Sequence, residues 1–161
     1  MSPGRAQGVL VVLASLAVGL ILSVFPLPDW AQEFRPQWPL LVLIYWNMAV
    51  PSRVNVFSGW LTGLLLDVMT GTLLGQHALG YAVVAYVVSA QHRRLRLFPL
   101  WQQTLFVAGM LMLERALTYT VAGVVGELPD ARFWIAPAVG LVLWPWVFVI
   151  MRDIRRKFRV R

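Results

Sequence analysis

Cysteine is absent from this chain of 161 residues, and only two histidines occur, His77 and His92. The first absence excludes disulfide frameworks, thiolate metal sites and cysteine nucleophiles. With so few histidines there is no paired metal motif such as HExxH, and a glycine-rich phosphate loop of the GxxxxGKS kind is missing as well. The chain holds no internal repeat and no low-complexity tract. Charge is scarce too: only 13% of residues are charged, where soluble domains carry about a quarter. What the chain has instead is apolar length. Hydrophobic residues make up 59%, and mean hydropathy is +0.69. So short a chain cannot hide that much apolar surface in one aqueous core. The expected class is an all-α integral membrane protein forming a single transmembrane domain, residues 1–161.

A spanning helix needs about 20 apolar residues. Five runs approach this: Gly8–Phe25, Val54–Thr70, Gly75–Gln91, Leu100–Val125 and Phe133–Met151. The first is longer than a signal-peptide core of ~7–15 residues and is followed by "PLPDW" rather than a small-residue cleavage site, so it is expected to be retained. A sixth run, Pro39–Val50, is short and bounded by prolines. At ~1.5 Å per residue it covers only ~18 Å. A start at Gln37 and a kinked continuation through Pro51 extend it, giving expected spans near 8–25, 37–52, 54–70, 75–91, 100–125 and 133–151. A re-entrant segment is the alternative for the short run.

Charge placement favours six spans. Eleven of the fourteen basic residues then fall on one side, Arg35 and Arg132 fall on the other, and Arg115 lies within a span. The positive-inside rule places both termini in the cytoplasm, with residues 152–161 as a basic cytoplasmic tail. Trp30, Trp38 and Trp134 are expected near the outer interface, and Trp101, Trp144 and Trp146 near the inner one. The net charge of +7 therefore reads as topology and contact with anionic lipid, not as nucleic-acid binding.

Charges inside the apolar runs single out a site. "GWLTGLLLDVMTG" carries one carboxylate, Asp67, in the third span. Gly59, Gly63 and Asp67 recur every four residues and share one helix face, where small residues admit a close neighbour. Glu114 and Arg115 lie at matching depth in the fifth span, and His77 and Tyr81 begin the fourth at the same outer level. The arrangement expected is an Asp67–Arg115 ion pair, with Glu114 turned toward Thr118 and a second neighbour. Such a cluster either fixes helix packing or receives a ligand or partner helix. Further small-residue faces are Ser15, Gly19 and Ser23 in the first span and Ala136 with Gly140 in the sixth. Pro137 and Pro145 are expected to bend the sixth span. No catalytic residue, cofactor or metal ligand is assigned.

"FRPQWPLLVLIYW" and "PSRVNVFSGWLTGLLLDVMTGTLLGQHAL", with "LWQQTLFV" and "GLVLWPWVFVIMRDIRRKF", resemble the MreD family of rod shape-determining proteins. The resemblance implies a non-enzymatic inner-membrane scaffold of the bacterial elongation machinery. It implies binding to MreC, a single-span protein, and through it a link to MreB, RodZ, the glycosyltransferase RodA and a class B transpeptidase. Lateral peptidoglycan synthesis and rod shape are the implied outcomes, and a homodimer is admitted. It also implies a six-helix layout similar to the substrate-binding subunits of energy-coupling-factor transporters, a fold-level likeness only. The competing reading is a small-molecule binding or transport subunit with an outward-facing polar pocket. An enzyme acting on a lipid-linked precursor is a distant third.

Overall fold

The structure, a computed structural model, describes the backbone of residues 3–160 and the side chains of residues 6–160. Arg161 and the side chain of Arg5, both counted in the charge map, lie outside those residues. Helices α1 (Pro3–Val24), α2 (Asp29–Gln32), α3 (Trp38–Ala49), α4 (Val56–Thr70), α5 (Gln76–Leu95), α6 (Leu100–Val125) and α7 (Ile135–Lys157) follow one another, with a 3-10 turn at Ala131–Trp134 before α7. Among the described residues there is no strand. Three helical stretches, Ala6–Val24, Leu100–Val125 and Ala131–Lys157, are long and apolar enough to cross a membrane, while α3 and α4 are shorter apolar helices. Leu10, Leu13 and Ile21 on α1 and Val142, Trp146 and Ile150 on α7 face outward. Large apolar side chains on the outside of long apolar helices are the mark of a lipid-facing surface, and the chain is a multi-pass membrane protein.

Helix α3 occupies the centre. Ten of its twelve residues are buried, and it packs on α1, α5 and α7. Protein rather than lipid surrounds it, which is why ~18 Å of helix suffices. Pro39 sits in its first turn, where a missing N–H costs nothing. The expected continuation through Pro51 does not occur: α3 ends at Ala49, because a residue before proline is driven from helical geometry. Polar side chains lock it in place. Asn47, fully buried, donates to the Ala85 carbonyl at 3.0 Å and accepts from Ser89 at 2.7 Å, while the Trp46 indole donates to Ser15 at 2.7 Å.

Local signals explain the other boundaries. Asn55 caps α4 in a reciprocal box with Ser58. Helix α5 runs past Gln91 to Leu95, and Arg93 with Arg94 in its last turn complement the helix dipole. Pro137 falls in the first turn of α7 and only Pro145 lies in its interior, so a bend is to be expected at one position rather than two. Trp144 is fully buried and belongs to the core, not to an interfacial belt.

Contacts sort the helix ends into two groups. At one end, Arg35 donates to carbonyls at and just past the end of α1, Ser23 O at 2.7 Å and Phe25 O at 2.9 Å, and Arg132 pairs with Glu33. At the other, Arg96 donates to Met48 O and Ala49 O, both at 2.7 Å, closing the end of α3. Arg53 and Val160 lie against Gly8 at this same end.

Candidate functional site

The carboxylate of Asp67 is fully buried, and it is held by α5 rather than by Arg115. Five donors converge on its two oxygens. Oδ1 accepts from the His77 amide at 2.9 Å, from His77 Nδ1 at 2.8 Å and from the Thr72 hydroxyl at 3.0 Å. Oδ2 accepts from the amides of Gly75 at 2.9 Å and Ala78 at 3.3 Å. The first amides of a helix have no partner within it, and they carry the positive end of its dipole. Asp67, near the end of α4, supplies the missing acceptor to the start of α5. The expected Asp67–Arg115 pair is therefore corrected: amides a few residues along the chain reach the carboxylate before a side chain from α6 does. Gly75 permits the tight reversal, with φ of +100° that a side chain would strain.

Gly59 and Gly63 are where α4 and α5 touch. A Cβ on Gly59 would lie 2.8 Å from the Tyr81 carbonyl oxygen, and one on Gly63 would lie 2.6 Å from Ala78 Cα. The expected close neighbour of this face is thus α5 of the same chain, and the face is closed to a partner helix. The other small-residue faces are also filled internally: Gly19 lies against Pro39, and Gly140 against Leu111.

Glu114 is likewise fully buried, and it turns to Thr118 as expected, accepting its hydroxyl at 2.9 Å. The second neighbour is Gln37, whose amide donates to the other carboxylate oxygen. Arg115 points elsewhere. Its guanidinium carbon stands 4.2 Å above the Phe133 ring, a cation–π contact, while its buried Nε has no partner.

Gln37, Glu114, Arg115 and Phe133 line a cavity of about 350 Å³ at the end of the molecule where Arg35 and Arg132 lie. That volume falls in the ordinary range for ligand sites. Gln37, Tyr81, Glu114 and Arg115 form its depth, and Glu33, paired with Arg132, stands at its rim. Three buried polar atoms on its lining residues lack partners: Arg35 Nε, Gln37 Oε1 and Arg115 Nε. Buried polar groups in folded proteins are normally satisfied, so three beside one cavity are an unusual concentration of unmet hydrogen bonding. Among the described residues no group of three or more His, Asp or Glu is placed to hold a metal ion. Of the six residues the sequence singles out, Glu114, Arg115 and His77 meet at this cavity, while Asp67, Gly59 and Gly63 build the helix pair behind it. Arg35 and Gln37 join the site without standing out in the sequence; their signal is two polar side chains flanking Pro36 where the chain re-enters the apolar core.

Residues 4–154 match the family model described as rod shape-determining protein MreD. The rod shape-determining protein MreD of Haemophilus influenzae is 34% identical over 153 residues, which cover 92% of this chain and 93% of that relative. No solved structure matches the chain.

Proposed function

The chain belongs to the MreD family of rod shape-determining proteins, and from that premise we propose that it is a non-catalytic scaffold of the bacterial inner membrane that captures MreC through its outer cavity. The family match over nearly the whole chain carries the reading. On this reading the six helices α1 and α3 to α7 all cross the membrane, with both termini and the Arg96 end in the cytoplasm. The 11-to-2 division of basic residues supports that orientation. Reporter fusions after Arg35, Gly75 and Asp130 should then report periplasm, and those after Arg53 and Arg96 cytoplasm. A cytoplasmic signal after Gly75 would refute the six-span count. The layout expected to resemble transporter substrate-binding subunits adds nothing to this function.

Elimination of the small-residue faces and the cavity's chemistry both support docking there. The small-residue faces are occupied within the chain, and the loops are too short to offer a broad aqueous interface. The cavity remains, with three polar atoms in need of partners. The juxtamembrane segment of a single-span partner, with its backbone carbonyls and amides, meets that need. From MreC the same scaffold connects to MreB, RodZ, RodA and the transpeptidase, and so to lateral peptidoglycan synthesis. Arg115→Leu provides the test. The variant gives up the cation–π contact with Phe133, about 1 kcal/mol, so thermal stability should fall only slightly, whereas a hydrogen bond lost to a charged group lowers MreC capture about tenfold or more. A variant that captures MreC as well as the original refutes cavity docking.

A second reading, a small-molecule binding subunit, draws on the same unpartnered atoms. Native mass spectrometry of the purified chain separates the two: a co-purifying small ligand favours the second, and co-purifying MreC the first.

A further inference from the structure

A second cavity, of about 290 Å³, opens at the opposite end of the molecule among α3, α5, α6 and α7. Arg96, Arg152 and Arg155 line it, and no acidic residue does. Arg96 is held rigid by its bonds to Met48 O and Ala49 O. Arg152 pairs with its neighbour Asp153, Nε to Oδ1 at 3.5 Å, an exposed pair that binds neither side chain firmly. Gln103, also in the wall, is nearly fully buried, and its amide donates to Leu95 O at 2.7 Å. That bond fixes the amide's orientation and leaves Oε1 buried without a partner. Tyr45 and Phe148 supply an aromatic side, their rings 5.7 Å apart edge to face.

We propose that this cavity binds the headgroup of an anionic glycerophospholipid with free hydroxyls, phosphatidylglycerol being the simplest. Guanidiniums match phosphate oxygens in geometry and charge. The orphaned Gln103 oxygen calls for a donor, which a glycerol hydroxyl supplies and a choline headgroup lacks. The aromatic side suits the first carbons of the glycerol and acyl chains. Basic pockets between helix ends are the physical form that anionic headgroup sites take. Assigning the cavity to the cytoplasmic leaflet rests on the orientation given above; the binding itself does not.

The test is native mass spectrometry of the full chain exchanged into detergent with equimolar phosphatidylglycerol and phosphatidylcholine. The original protein is expected to retain phosphatidylglycerol in strong preference. Replacing both Arg152 and Arg155 with glutamine should weaken that retention about thirtyfold. Arg156→Gln with Arg159→Gln, on the same basic segment but outside the cavity wall, should leave it unchanged. Circular dichroism confirms that each variant keeps its helices. Equal retention of the two lipids, or an equal loss in both double variants, overturns the proposal. Displacement of the lipid by millimolar inorganic phosphate would also overturn it, by assigning the site to a free anion. Because the readout is lipid retention, a failure of MreC capture leaves this result unaffected.

Discussion

Asp67→Ala is expected to lower the stability of the folded chain by about 3 kcal/mol or more, because five donors lose one shared acceptor at once. The amides of Gly75, His77 and Ala78, the His77 ring and the Thr72 hydroxyl all point at one carboxylate. Capping bonds at exposed helix starts contribute about 1 kcal/mol; here the carboxylate is fully buried and serves several donors together, so the loss is larger. Asp67→Asn keeps an acceptor but turns an amide group toward donors, and should cost roughly half as much. Combined with Arg115→Leu, its effect should add to within about 0.5 kcal/mol, as for independent sites. An Asp67–Arg115 ion pair would instead let the double variant recover part of the loss. Thermal melts of the four proteins in one detergent decide between these outcomes.

Gly63→Ala is expected to disrupt the fold with a single methyl group. The added carbon would stand 2.6 Å from Ala78 Cα, 2.7 Å from Ala78 N and 2.7 Å from His77 O. All three atoms are backbone, so no side chain can rotate away and the helices themselves must separate. Overpacking a core costs about 1–3 kcal/mol when side chains can adjust; this site should exceed that range and pull the Asp67 acceptor from its amides. Gly63→Leu should leave no monodisperse protein on size exclusion. Gly109→Ala is the control, since open space surrounds a Cβ there, and it should behave as the original. A Gly63→Ala protein that melts with the original would refute the described packing of α4 on α5.

What the sequence conveyed about the site depended on the kind of partner involved. Glu114 and Thr118 lie one helical turn apart, so their bond was legible from spacing alone. The burial of Asp67 was legible as a charge within an apolar run. Its partners were not, because three of them are backbone amides, which every residue carries and no letter marks. The glycine face of α4 was readable as a close contact, yet spacing does not say whether the neighbour belongs to the same chain. Gln37 reaches Glu114 across three intervening helices of sequence, a contact that only the folded chain creates. The short α3 was visible as an apolar run, and its length makes sense only with the surrounding helices in view.

Site-specific photo-crosslinking in cells that contain MreC tests the central claim most directly. Photoreactive side chains at Glu33, Thr70 and Phe133 report on the cavity, and those at Leu13 and Val142 on the lipid-facing surface. MreC adducts are expected from the three cavity positions and none from the two lipid-facing ones. Adducts confined to Leu13 or Val142, in cells that keep their rod shape, would contradict it.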